Sequence, residues 1–261
     1  MSEILPCGTE EERETAVARA AEVVADGECV VLPTDTVYGI GCDAFSPDAV
    51  SSVLGAKGRG REMPPPVLVG DLRVLDGLAR DVPAWVRDLL AEAWPGPLTV
   101  ILHAQLSLMW DLGETRGTVA LRMPDDEVAL AVLTEVGPMA VTSANRTGEP
   151  PARSVLDAAT QLGAAVAVYV DGGPRTDIQP STIVDCTGEV PVVVREGAFP
   201  AERVHEVYEA ALAARTPPAA TDPADDSPAT EAPAPDTPTP DASAAQQPTP
   251  SPEPTAPTDE S

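Results

Sequence analysis

The sequence predicts one α/β domain built on a mixed sheet, followed by an acidic tail, and three observations predict it. Short apolar runs stop at Pro, Gly or hydroxyl-rich turns, as buried strands do. Segments with helical spacing fall among them without strict alternation, which favours a mixed sheet over a purely parallel one. After Arg215 the composition changes abruptly, which sets the domain at residues 1–214 and the tail at 215–261.

In chain order, the Ala-, Val- and Glu-rich stretch Glu11 to Asp26 has helical spacing and stops at Gly27, a residue suited to the left-handed position past a helix end. Cys29 to Leu32 is an apolar run closed by Pro33, hence a buried strand. Ser46-Pro47-Asp48 is an N-cap with Pro at the first helical position, so a helix runs from there toward Lys57. Further strands are predicted at 67–69, 98–102, 119–122, 139–142, 166–170, 182–184 and 190–194, and further helices at 84–93, 125–135, 154–162 and 201–214. The polar segment from His103 to Gly117 joins two strands with little periodicity and is read as a mobile loop. From Thr216 onward there is no Lys, Arg or aromatic residue, so the tail is expected to be disordered.

A formal charge of -26 argues against a general nucleic-acid binder, which needs net positive surface to displace counterions. Cys7, Cys29, Cys42 and Cys186 are scattered and lack a Cys-x-x-Cys pair, so they read as reduced thiols rather than a zinc or disulfide framework. Only His103 and His205 are present, and no His-based metal centre is expected. The N-terminus lacks the basic start and apolar run of a secretory signal, and no stretch reaches membrane-spanning length; a cytoplasmic protein without membrane contact is expected.

The candidate site is cationic. Lys57 is the only lysine in the chain and sits in Ala56-Lys57-Gly58-Arg59-Gly60-Arg61, where glycines let backbone approach a ligand. Pro33-Thr34-Asp35-Thr36-Val37-Tyr38-Gly39 follows one strand, and Thr142-Ser143-Ala144-Asn145 with Gly148 follows another. Both offer small donors where open α/β sheets bind ligands. Arg122 and Arg195 each emerge from an apolar run, which completes a cleft lined by cations and suited to an anion. Gly39-Ile40-Gly41-Cys42-Asp43-Ala44 formally matches a dinucleotide fingerprint, but the helix start at Ser46 and Pro47 comes too late for the glycines to form its N-terminus. No P-loop and no G-x-S-x-G elbow occur.

These motifs, with Trp94-Pro95-Gly96-Pro97-Leu98-Thr99, Arg122-Met123-Pro124, Ser181-Thr182-Ile183-Val184-Asp185 and Arg195-Glu196-Gly197, resemble in order and spacing the YrdC/Sua5 family of L-threonylcarbamoyladenylate synthases. The resemblance implies a YrdC-like twisted mixed sheet with flanking helices and a large concave cationic cleft. It also implies an enzyme joining L-threonine, bicarbonate and ATP, with Mg²⁺ accompanying the nucleotide. The product, threonylcarbamoyl-AMP, would pass to a tRNA threonylcarbamoyltransferase complex that makes the t6A modification, so direct tRNA binding is expected to be weak or absent.

By the same resemblance Lys57 and Arg59 neutralise the triphosphate, and Thr118, Ser143, Asn145, Arg153 and Arg195 hold ATP. Arg122 pairs with the threonine carboxylate, while Thr36, Thr142 and Ser181 contact the amino acid. The chain departs from the family pattern where many members continue Lys-x-Arg-Pro with a polar residue and then Pro-Leu. Here Gly60 replaces that Pro, Met63 the polar residue and Pro65 the Leu, and Leu68 stands where some members place a threonine-contacting His. Two alternatives remain at this stage: a carbamoyl-adenylate maturation module fed by carbamoyl phosphate, and an RNA-binding accessory protein with the same cleft.

Overall fold

A computed structural model describes residues 2–176 and 179–215. The chain divides into Met1–Pro217 and Pro218–Ser261; the second unit, and with it the expectation of a disordered tail, lies outside the described residues.

The elements run β1 (Glu3–Pro6), α1 (Glu10–Ala25), β2 (Val30–Leu32), β3 (Gly39–Asp43), α2 (Pro47–Lys57), β4 (Val67–Leu68), α3 (Leu75–Leu78), β5 (Ala79–Arg80), α4 (Ala84–Ala93), β6 (Leu98–Ala104), β7 (Thr118–Arg122), α5 (Glu127–Val136), β8 (Met139–Ser143), α6 (Val155–Leu162), β9 (Val168–Asp171), β10 (Thr182–Asp185), β11 (Val192–Arg195) and α7 (Ala201–Arg215). Their sheet is mixed, in the order β1-β9-β2-β3-β8-β4-β7-β6-β10-β11, with β5 paired to β6. Parallel pairs such as β4 with β7 and β6 with β10 sit beside antiparallel ones such as β6 with β7.

Local chemistry sets the helix ends. Thr9 accepts from the Glu12 amide while the Glu12 carboxylate accepts from the Thr9 amide, a capping box that opens α1 under three successive glutamates. Ser46 caps α2 ahead of Pro47, and Gly58 closes it at a φ of 62°, a left-handed turn that glycine enters without a Cβ penalty. Asp126 caps α5, and Ser154 with Asp157 forms a second capping box at α6.

Strand alternation splits the core in two. Val30 and Leu32, Val168 and Val170, Met139 and Val141, and Leu68 face a cluster built with Ala16, Ala20, Val23 and Val24 of α1 and Val128, Ala129, Val132 and Leu133 of α5. Their strand neighbours Val31, Tyr169, Ala140 and Val67 face the opposite cluster, with α2, α4 and α6. These strands are therefore buried on both faces, which explains why they read as continuous apolar runs. Toward β10 the pattern changes. Leu98, Val100, Leu102, Leu121 and Val184 still enter the second core, while the intervening residues of β6, β7 and β10 line a cavity. Since Leu68 registers against Arg122, that cavity opens on the sheet face that α1 and α5 cover at the other end.

Four elements depart from the sequence reading. β1 is a four-residue, largely exposed strand at the sheet edge, and Ile4 with Leu5 is too short an apolar run to read as a strand. The brief α3 and β5 span four and two residues, too few to show a periodicity. β3 was hidden by its glycines: Gly39-x-Gly41 lies between β2 and β8, and a Cβ at Gly39 or Gly41 would stand 2.6 or 2.7 Å from a Val141 methyl. Close packing against β8, rather than approach to a dinucleotide, accounts for both glycines.

Candidate active site

The cavity has a volume of about 450 Å³, within the range of small-molecule sites. Residues two apart on a strand share a face, so Thr118, Ala120 and Arg122 of β7, Thr99 and Ile101 of β6, and Ser181 with Ile183 at β10 make its floor. Its rim includes Thr36 and Val37 after β2, Arg59 and Pro64 to Pro66 after α2, and Thr142 and Ser143 at the end of β8. Leu112 and Thr115 come from the loop between β6 and β7, which is tied down: Arg61 pairs with Asp111 at 2.6 Å, the Glu114 amide donates to the Arg61 carbonyl, and Trp110 stacks on Phe45.

Arg122 is the most constrained cation. Its Nε donates to the Gly96 carbonyl at 3.1 Å, Nη1 to Thr36 Oγ1 at 3.0 Å and Nη2 to Asp35 Oδ1 at 2.5 Å. The Trp94 to Pro97 turn that offers Gly96 has a cis peptide at Trp94-Pro95 and is fixed by Trp94 Nε1 donating to the Leu98 carbonyl. Burial pulls the Arg122 pKa down while Asp35 supports its charge. A guanidinium stays charged in either case, and two of its five N–H donors remain for a ligand. Arg195 forks onto Ser181, with Nε and Nη2 donating to its carbonyl at 3.0 and 2.7 Å and Nη2 also to Oγ at 3.0 Å. Ser181 Oγ in turn meets Thr99 Oγ1 at 2.9 Å. Arg59 donates to Thr142 Oγ1 at 3.0 Å, and its Nε is buried without a partner among the described residues. Thr118 donates to the Thr115 carbonyl.

The structure thus gathers Thr36, Arg59, Thr118, Arg122, Thr142, Ser143, Ser181 and Arg195 around one cavity, whose lining includes, among the described residues, three arginines and no carboxylate. It places three other expected residues elsewhere. Lys57 is not on an exposed loop: it ends α2 at 4% exposure, because the helix continues up to Gly58. Its Nζ donates to the Ser143 carbonyl at 2.5 Å, the Asn145 carbonyl at 2.6 Å and Asn145 Oδ1 at 3.2 Å. That uses all three ammonium protons, and burial with repulsion from Arg59 lowers the pKa to about 8. Asn145 stands behind Ser143 with it, its amide nitrogen donating to the Arg146 and Glu149 carbonyls. Arg153 is exposed and lines a separate surface depression with Asp157 and Gln161. Leu68 packs in the apolar core, so it supplies no polar contact in the place of a histidine.

Sequence reasoning assigned no role to Asp35, Thr99, Thr115 or the Pro64 to Pro66 wall. Thr99 had a readable signal, a lone hydroxyl in an apolar strand at 1% exposure. Among the described residues no group of three His, Cys, Asp or Glu side chains is placed to hold a metal ion, and no helix is long and apolar enough to cross a membrane.

A mixed sheet with one half sandwiched by helices and the other half flooring an open cavity defines an α/β domain whose cavity presents three guanidinium groups. The chain belongs to the Sua5/YciO/YrdC family: a model of that name, described as telomere recombination, matches residues 22–197. A Mycobacterium tuberculosis protein, whose name carries a provisional threonylcarbamoyl-AMP synthase assignment, is 48% identical over 207 residues, 79% of this chain and 95% of that protein. The Bacillus subtilis threonylcarbamoyl-AMP synthase is 37% identical over 194 residues, but the match spans 73% of this chain and 56% of that one. The crystal structure of P. abyssi Sua5 complexed with L-threonine superimposes with a TM-score of 0.74 at 31% identity, covering 79% of this chain and 60% of that one.

Proposed function

We propose that this protein is an L-threonylcarbamoyladenylate synthase, a nucleotidyltransferase that makes threonylcarbamoyl-AMP and pyrophosphate from L-threonine, bicarbonate and ATP. The observation that carries the reading is the cavity itself, in which Arg122, Arg59 and Arg195 converge with no acidic side chain among the described lining residues. It is supported by the names of relatives that match most of the folded chain and by the threonine-bound neighbour.

The chemistry asks for little covalent help. The threonine amine adds to the bicarbonate carbon and releases water, and a carbamate oxygen then attacks the α-phosphorus of ATP and expels pyrophosphate. Positioning and charge neutralisation supply the rate. Arg122 holds the amino acid's carboxylate in its remaining fork, beside the hydroxyls of Thr36 and Ser181. Arg59 and Arg195 meet the nucleotide's phosphates, with Ser143 and Thr118 as hydroxyl donors on the same wall. Lys57 and Asn145 act one layer back, fixing the turn that presents Ser143. Mg²⁺ would screen the phosphates, held by their oxygens and water, since the described residues of the cavity wall offer no carboxylate ligand. The product would then pass in the cytoplasm to a tRNA threonylcarbamoyltransferase complex, with little or no direct contact to tRNA.

Pyrophosphate release from ATP, measured with and without threonine and bicarbonate, tests the assignment. Release should need both, and Arg195→Ala should lower it about a hundredfold, as expected for one preorganised charge donor. Release supported by carbamoyl phosphate without threonine would replace this reading with the carbamoyl-adenylate one. Tight, steeply salt-dependent RNA binding without ATP binding would replace it with the accessory role.

A further inference from the structure

Asp35 sits in a place where a counter-ion role alone leaves part of it unused. Its Oδ1 accepts from Arg122 Nη2, and the two side chains are 13% and 8% exposed. Its Oδ2 takes no hydrogen bond from a described residue, and the next two residues, Thr36 and Val37, form the cavity rim. The turn that carries it is rigid: Thr34 Oγ1 donates to the Val37 carbonyl at 2.6 Å and accepts from the Thr36 amide at 3.2 Å.

An α-amino acid carries its carboxylate and its ammonium on one carbon. If Arg122 takes the carboxylate, the ammonium falls within a few ångströms of that guanidinium, in a cleft where Arg59 and Arg195 repel it. Asp35 is not itself on the cavity lining, but it is the acid bonded to Arg122, one residue before the rim, and its second oxygen can supply the counter-charge that a zwitterion requires there. Arg122 is the charged group placed directly against Asp35; Arg195 lies beyond it and interacts electrostatically with Arg122, while Thr34 and Thr36 are neutral.

We infer that Asp35 binds the α-ammonium of the amino-acid substrate and accepts its first proton. The ammonium and the Asp35 carboxylate become a neutral amine and a carboxylic acid. The amine nitrogen's lone pair then forms the bond to the bicarbonate carbon, and the hydroxyl leaves that carbon as water with the second amine proton. Asp35 returns its proton to solvent. The inference rests on the proposed function, and the experiment separates the two.

L-threonine and 2,3-dihydroxybutyrate, which keeps the carboxylate and side chain but lacks the ammonium, are titrated calorimetrically into wild type and Asp35→Asn, each with bound ATP. Wild type should prefer threonine by at least about tenfold, the scale of one charge-assisted contact, and Asp35→Asn should bind the two alike. In turnover, kcat/KM for threonine should fall about a hundredfold at neutral pH in Asp35→Asn. That deficit should shrink about tenfold per pH unit as the free amine replaces the ammonium. A purely structural Asp35 would give a deficit that does not change with pH. An unchanged threonine preference in Asp35→Asn overturns the inference, whereas a wild type that binds no threonine overturns the proposed function. If Asp35→Asn fails to bind ATP, Asp35→Glu decides: it keeps a counter-ion for Arg122 but moves the carboxylate by one methylene, so it should raise KM for threonine at an unchanged KM for ATP. A wild-type threonine KM in Asp35→Glu overturns the inference equally.

Discussion

Replacing Lys57 by Met tests whether this lysine is a buried tie or an exposed phosphate ligand. Met keeps most of the volume and removes the ammonium, leaving the Ser143 and Asn145 carbonyls and Asn145 Oδ1 without their shared donor. A hydrogen bond from a charged group is worth about 1.5–3 kcal/mol net, and two of the three here are short. Relief of a buried charge offsets part of that loss. The balance is a destabilisation of about 3 kcal/mol, or a melting temperature lower by about 6–12 °C for a domain of this size. Denaturant unfolding followed by circular dichroism measures it.

The same tie has a pH signature. With a native pKa of about 8 against an ordinary value of 10.5, the unfolded chain holds a proton that the native chain has shed between those two values. Wild-type stability should therefore rise with pH across that window, and the gain is lost as pH falls through about 8. Lys57→Met should lack this component. Because Lys57 is the only lysine, carbon-13 labelling at lysine Cε gives one resonance whose titration reads the native pKa directly. A midpoint near 10.5 together with wild-type stability in Lys57→Met would refute the reasoning.

Two further outcomes are expected. Gly41→Val should destabilise the domain by about 1–3 kcal/mol without changing KM values in the surviving fraction, because its Cβ must displace Val141 and Met139; denaturant unfolding checks this. Removing residues 216–261 should leave threonine- and bicarbonate-dependent pyrophosphate release within about twofold of the full chain, since the residues assigned to catalysis all precede them.

Most of the sheet was legible because its strands are apolar runs closed by punctuating residues. Where punctuation and strand coincide the signal fails: Gly39 and Gly41 are strand residues chosen for their lack of a side chain, and they imitate a ligand loop. The site was legible to the extent that it is spelled at strand ends, so Thr36, Arg122, Thr142, Ser143 and Arg195 could be collected by position, while Ser181 came only with the family resemblance. Depth was not legible. Nothing in Ala56-Lys57-Gly58-Arg59 says that the helix holds through Lys57 and turns its side chain inward, while Arg59, two residues on, reaches the cavity. Asp35 was missed for a related reason, since a carboxylate between two threonines is also an ordinary turn, and only its bond to Arg122 distinguishes it.

Lys57 and Arg59 thus divide one basic motif between two tasks that a single residue could not perform. An ammonium can make three bonds from one point, which suits a buried knot of carbonyls behind Ser143. A guanidinium can keep one nitrogen on Thr142 while others remain for an anion, which suits the wall itself. Gly58 makes the division possible, because its left-handed turn ends the helix and redirects the chain within a residue of each. Exchanging the two side chains, as Lys57→Arg with Arg59→Lys, would preserve net charge and the residue types present. It should nevertheless impair both stability and phosphate binding, since the larger fork would be forced into the three-carbonyl knot and a point charge would replace it on the wall. Recovery of wild-type ATP affinity and unfolding midpoint in that double exchange would show that charge alone, and not the geometry of each donor, is what the motif provides.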